Sequence, residues 1–329
     1  MGNLASGLIA IVLGVGGALV LFWALNTVVE RLPKKQEELF KPYVFIGPSL
    51  IVVGVFLLYP SIVTIIDSFR TRIGTADERW TLANYEYLLT NSALRDAFIN
   101  NLLWIIFVPA ASVAIGLLVA VLSDRLKPTW EKVSKSMIFM PMAVSFVGAS
   151  TIWLFIYTWR VPGQDQIGLL PAIAQAMGNP MDTPILQNTT LRLNSFSLMV
   201  VMVWLQAGFA MVLLSAAIKN VPEDTIEAAR IDGATEIQIF WRVTVPQIRS
   251  TIVVVTTTIL ILVLKIFDIP RVMTNGNFNT DVIANVYFDQ FFTARDQGRA
   301  SVVVVALILL TLPFMYINIK RFREQEAMR

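Results

Sequence analysis

Seven stretches of the chain are apolar on every face for roughly the 20 residues a helix needs to cross a hydrocarbon layer. They are residues 4–29, 43–66, 98–122, 136–158, 195–218, 251–267 and 300–319. Polar connections separate them, so an all-α membrane protein of about seven transmembrane helices is predicted. Residues 80–100 read differently. Trp80, Leu82, Tyr85, Tyr87, Leu88, Leu89, Leu94 and Phe98 are interleaved with polar residues, which suits either a helix lying on the outer surface or an ordinary amphipathic loop. Pro60, Pro109, Pro141 and Pro313 fall inside spans. There they bend a helix and free a carbonyl that a neighbour must satisfy. Trp153, Tyr157 and Trp159 gather near one end of the fourth span, where an aromatic belt is expected.

Composition agrees with lipid as the solvent. Of 329 residues, 56% are hydrophobic and 15% charged, against about 25% charged in soluble domains. A net charge of +3 gives no reason to expect a nucleic-acid partner. The positive charges fall unevenly. Segments 30–42, 123–135, 219–250 and 320–329 hold 16 Lys and Arg, whereas 67–97, 160–194 and 269–299 hold 9. The excess marks the first set as cytoplasmic. Seven spans then put the N-terminus outside and the C-terminus in the cytoplasm. Residues 1–29 carry no charge and lack the basic start and short apolar core of a signal peptide, so the first span reads as a retained helix.

With no cysteine and no histidine in the chain, disulfides, thiolate chemistry and the commonest proton relay are excluded. No loop offers a Ser/His/Asp set or a metal-ligand cluster. The glycines at 14, 16 and 17 lie in an apolar helix, and no Gly-x-x-x-x-Gly-Lys-Ser/Thr phosphate loop occurs. The chain is therefore expected to be neither an enzyme nor an ATP-binding protein in its own right.

The most informative segment is about 220–246, between the fifth and sixth spans. Pro222 suits a first helical turn, and Glu223 and Asp224 suit the positive end of a helix dipole. The helix is expected to run to Asp232 and break at Gly233. Thr235 and Gln238 then form a capping-box pattern for a second helix. Small Ala228, Ala229 and Ala234 let another surface approach, and Ile226, Ile231, Ile237 and Phe240 supply apolar contacts. Physics alone leaves two readings open: a coupling element driven by a separate motor, or an amphipathic surface helix.

Here the chain resembles a known family. Glu227-Ala228-Ala229, then Asp232-Gly233-Ala234, Phe240 and Pro246 match the EAA loop of permeases in binding-protein-dependent ABC importers. The resemblance runs from about residue 43 to the end. It implies a type I importer core of six helices plus one extra N-terminal helix. Residues 1–42 would be that helix and its cytoplasmic linker, and 43–329 the importer transmembrane domain. It further implies a second permease as partner, a cytoplasmic ATPase dimer that binds ATP and Mg, and an extracytoplasmic solute-binding protein.

Asn84-Tyr85-Glu86-Tyr87-Leu88, Met140-Pro141-Met142-Ala143-Val144 and the run from Phe267 to Gly276 resemble the carbohydrate subfamily, in its maltose and α-glucoside branch. The chain departs from that branch in lacking a large periplasmic insertion. The resemblance implies that a sugar pathway would be lined near Met142, Ser145 and Phe146 of span four. It would continue with Trp204, Gln206 and Phe209 of span five and Ile259 and Val263 of span six. Trp204 and Phe209 equally suit helix packing, whereas a buried amide such as Gln206 needs a partner. Lys265 and Asp268, one turn apart, could pair, as a polar gate or as a structural ion pair. The alternatives are a secondary transporter, which would need intramembrane acid or histidine relays, and an ABC permease for a non-sugar solute.

Overall fold

The computed structural model describes residues 2–327, with the side chains of 2–5, 8, 11, 318 and 321–327 outside that description. Five helices are long and apolar enough to cross a membrane, and the number rises to seven when each of two bent pairs counts as one span. The chain divides into two units, Met1–Ile66 and Asp67–Arg329.

In the first unit, α1 (Gly2–Val29) is followed by α2 (Lys34–Asp67). The expected linker is thus partly helical. Phe22 of α1 stacks on Phe45 of α2, with centroids 6.3 Å apart. A widened π turn at Gly54–Leu58 sits just before Pro60. The proline ring clashes with the carbonyl four residues back, here Phe56, and widening the turn makes room for it.

The second unit opens with a two-stranded ribbon, β1 (Arg70–Thr71) and β2 (Arg79–Trp80). The amphipathic segment that follows resolves into α3 (Ala83–Thr90) and the start of α4 (Ser92–Asp124). Asn91 separates them because its side chain accepts from Leu94 N, capping α4. Leu88 and Leu94 pack inward while Leu89 faces out.

Span four is broken. Helix α5 (Pro128–Phe139) passes through a tight turn at Met140–Ala143 into α6 (Phe146–Tyr157), bent by 106°. Pro141 removes a donor there, and Ser145 restarts the helix by accepting from Gly148 N at 3.1 Å. A short outer helix, α7 (Leu169–Ala176), leads to α8 (Leu193–Lys219). Then come α9 (Glu223–Ile231), α10 (Glu236–Gln247) and α11 (Arg249–Leu264), with a 70° bend between the last two. Short α12 (Asp268–Met273) and α13 (Ile283–Phe288) precede the final span α14 (Gln297–Ala327).

Helix α8 is the core of this unit. Most of its side chains are buried, and it packs against α4, α5, α6, α11 and α12. Two glycines permit the closest approaches. A Cβ on Gly208 would lie 2.3 Å from Ile138 O of α5, and one on Gly116 of α4 would lie 2.6 Å from the Ala210 Cβ. Both contacts fall within one turn of α8, so α8 is pinched between α4 and α5 at that level.

The end of α8 opposite Lys219 is held by a polar hub. Asn100, fully buried, donates from Nδ2 to Asn279 O and Asp281 O, both at 2.8 Å. Its Oδ1 accepts from Arg192 Nη1 at 2.8 Å and Ser195 Oγ at 3.2 Å. The chain around 275–279 needs this support, since Asn275, Phe278 and Asn279 all have positive φ. Asn100→Asp keeps the shape but turns a donor into an oxygen facing two carbonyls. We expect it to cost about 3 kcal/mol, visible as a melting transition several degrees lower. A melting curve like that of the unaltered protein would refute the role of the hub.

Candidate functional site

The segment between α8 and α11 forms two short helices at a sharp angle. Pro222 precedes α9, whose first turn carries Glu223 and Asp224 and whose last carries Arg230. Each charge opposes the local end of the helix dipole. The helix ends as the sequence predicts. Gly233, at φ +79°, donates to Arg230 O at 3.0 Å, and Ala234 N donates to Ala229 O at 3.0 Å. These two bonds make a Schellman stop. The capping box also forms: Gln238 N donates to Thr235 Oγ1 at 3.4 Å, and Thr235 N donates to Gln238 Oε1 at 2.8 Å. Arg230 Nε reaches across the turn to Glu236 Oε1 at 2.8 Å. That bond holds the Glu236 carboxyl below the usual carboxylate range.

The angle between the helices is therefore fixed by local chemistry. What it presents is an unusual surface. Glu227, Ala228, Asp232 and Gly233 are exposed, Ala229 and Ala234 are half-buried, and Ile231 at the tip is 86% exposed. A large apolar side chain is thus held out on a turn whose angle local bonds fix. Phe240 meets Trp241 edge-on at 5.1 Å. A second widened turn, Phe240–Thr244, precedes exposed Pro246, for the reason given for Pro60.

The expected pathway residues separate into two groups. Met142, Ser145 and Phe146 occupy the break in span four, with Met142 and Ser145 exposed and Phe146 half-buried. Trp204 and Phe209 are half-buried on α8, and Gln206 between them is buried. The turn and α6 pack against α8, so these six residues lie on adjoining elements. Gln206 Oε1 is buried with no hydrogen-bond partner among the described residues, which is costly unless something else supplies a donor.

The others do not join them. Ile259 and Val263 are fully buried in the hydrophobic core. Among the described residues, Lys265 and Asp268 form no ion pair. Helix α11 ends at Leu264, Lys265 has φ −112° and Phe267 φ −144°, so a spacing of three no longer places the two side chains on one face. Lys265 instead borders an apolar cleft of about 420 Å³ with Leu307, Thr311 and Phe314. The aromatic-belt reading of Trp153 also changes. Its ring lies 5.9 Å from that of Trp204 and 5.3 Å from that of Tyr157, inside the bundle. Spacing alone did not reveal this, because span four is apolar on all faces and offers no polar side to mark outward from inward.

A family of binding-protein-dependent transport system inner membrane components matches residues 112–320. Over 285 residues the chain is 47% identical to the osmoprotective compounds uptake permease protein GgtC of Synechocystis, covering 87% of this chain and 100% of that one. It is 41% identical to the alpha-glucoside transport system permease protein AglF of Rhizobium meliloti, over 97% of each chain. In three dimensions it resembles a chain of a bacterial alginate ABC transporter crystallised with an alginate pentasaccharide-bound periplasmic protein. The TM-score is 0.69 at 19% identity, covering 87% of this chain and 95% of that one, which speaks for the fold. Matched by the family model through the segment that carries the exposed turn, and by relatives along nearly its whole length, the chain belongs to the family of binding-protein-dependent transport system inner membrane components.

Proposed function

We propose that this permease forms, with a second permease, the translocation pathway for an α-glucoside or a similar di- or oligosaccharide-like solute. An extracytoplasmic binding protein delivers the solute, and a cytoplasmic ATPase dimer that holds ATP and Mg drives the cycle. The observation that carries the motor coupling is the rigid exposed turn of α9 and α10, with Ile231 at its tip. The solute class rests on the likeness to the alpha-glucoside permease over 97% of both chains. The N-terminus lies outside and the C-terminus in the cytoplasm, which puts the Lys- and Arg-rich connections, α9 and α10 among them, on the ATPase side.

Closure of the ATPase dimer pushes the α9 helix, and α8 passes the movement to the break in span four. The permease pair then rocks between inward-facing and outward-facing states. Gln206, Trp204, Phe209, Met142, Ser145 and Phe146 contribute this chain's share of the pathway. The core positions of Ile259 and Val263 make them its support.

The assembly is tested by mild-detergent purification of the tagged chain from its native membrane. An ABC ATPase and a second permease should co-purify, and one α-glucoside with its binding protein should stimulate ATP hydrolysis. A chain that purifies alone, even after gentle cross-linking, would sink the reading. Within the assembly, Gln206→Met should lower uptake about tenfold, the worth of one lost hydrogen bond to the solute. Membrane abundance should not fall, because removing the orphaned carbonyl breaks no bond within the fold. Unchanged uptake would remove Gln206 from the pathway.

A further inference from the structure

Five side chains from three helices meet at the Lys219 end of the bundle. Lys135 Nζ on α5 lies 2.6 Å from Asp124 Oδ1 at the end of α4. It lies equally close, 2.6 Å, to Glu131 Oε1 one turn earlier on its own helix. It also donates to Ser215 Oγ on α8, and that hydroxyl donates to Asp124 Oδ1 at 2.9 Å. Lys219, the last residue of α8, donates to Glu131 and stands 3.8 Å from Asp124. Two carboxylates and two ammonium groups thus alternate around one hydroxyl, with no net charge.

The two lysines differ. An ammonium has three donors, and Lys135 spends one each on Asp124, Glu131 and Ser215. Its side chain is 18% exposed and its two carboxylate partners 17% each, and Ser215 is buried. It is a saturated hub joining α4, α5 and α8. Lys219 is 52% exposed and holds chiefly one carboxylate, so water can replace that carboxylate at small cost. The hydrogen bond from Lys135, then that from Lys219, brings the Glu131 carboxyl down to about 2, so it stays charged at any physiological pH.

The position matters as much as the chemistry. Lys219 is immediately followed by Asn220, the first residue of the turn that leads into α9. Lys135 sits on the helix that leads through the 106° break to Ser145 and Phe146. The cluster ties the root of one to the stem of the other.

Resting on the coupling role proposed for α9, we infer that these five residues form a latch. Lys135, Asp124 and Ser215 act as positioning residues that hold α5 to α8. The Lys219–Glu131 bond is the releasable arm, which lets go when α9 is pushed and re-forms when it returns. The latch keeps movement of the coupling turn in step with movement of the broken span. A chain without it would hydrolyse ATP with less transport for each ATP.

The test uses the whole importer in proteoliposomes, with its ATPase, second permease and binding protein. Solute imported per ATP hydrolysed is compared for Lys219→Met, Glu131→Gln and the double variant, the neutral amide leaving Lys135 an acceptor at position 131. Each single variant should lower the ratio roughly threefold, and the double should fall no further than either single, as expected for two halves of one contact. A merely structural cluster would lower uptake and hydrolysis together and leave the ratio alone, and that result would overturn the latch. So would a double variant in which the two single losses multiply. Where Glu131→Gln fails to reach the membrane, Lys219→Met at the half-exposed site carries the test alone; an unchanged ratio there also overturns the latch. Failure of the coupling role itself has a separate signature, an unaltered chain that retains no ATPase.

Discussion

Gly233→Pro should leave the permease inserted in the membrane and abolish ATP-driven uptake. Proline holds φ near −65°, whereas Gly233 stands at +79°. Proline also removes the N–H that donates to Arg230 O. With both lost, the Schellman stop cannot form, so the fixed angle between α9 and α10 is gone. A graded series separates backbone from side chain. A Cβ at Gly233 would meet nothing within 4 Å, so Gly233→Ala pays only for the left-handed conformation, about 1 kcal/mol. Its uptake should fall only partly, and Gly233→Asn should be milder still, because asparagine tolerates this region better. Uptake rates, membrane abundance and co-purified ATPase are the measurements. Normal uptake by the proline variant would end the assignment of this turn as the coupling element.

The second large effect is expected at Gly208. Any Cβ there would lie 2.3 Å from Ile138 O and 2.8 Å from Phe139 Cα. Both are backbone atoms of α5 and cannot swing aside as a side chain end would. Overpacking in a tight interior costs typically about 1–3 kcal/mol, and more where nothing can relax. Gly208→Ala should therefore lower thermal stability by about that amount, and Gly208→Val should prevent accumulation of folded protein. Gly116→Val, whose Cβ would meet Ala210 and Met211 N, should behave likewise. Stable, active Gly208→Val protein would mean that α5 and α8 do not pack this closely. The contrast with Gly233 is informative. One glycine is needed for its backbone angle, the other for its missing side chain.

What could be read from the sequence was local. The turn at Gly233, the Thr235–Gln238 box and the start at Pro222 all depend on residues within a few positions of one another, and each formed as expected. The long apolar stretches likewise announced the spans. What the sequence hid depended on where a span stops or which way it faces. Pro141 signalled a bend but not the 106° break that follows. Lys265 and Asp268 looked paired only because helix was assumed beyond Leu264. Ile259 and Val263 could not be told from lining residues, since a helix apolar all round shows no preferred face. The latch was out of reach for a different reason. Lys135 and Ser215 are 80 positions apart, and each alone resembles an ordinary charged or polar residue at a span end.

The pinch on α8 has a mechanical corollary. Held by close contact at Gly208 on one side and at Ala210 and Met211 on the other, the helix cannot shift sideways at that level, so a push on one end tilts it. It is a lever with its fulcrum at that level. At 1.5 Å per residue, counted from the middle of that level near Phe209, its arm toward Lys219 is about 15 Å and its arm toward Trp204 about 8 Å. A displacement applied at the foot of α8 therefore arrives at the aromatic pair of Trp204 and Trp153 reversed in direction, reduced about twofold and correspondingly stronger in force. Such gearing suits the prising apart of packed rings better than the carrying of a load across a distance.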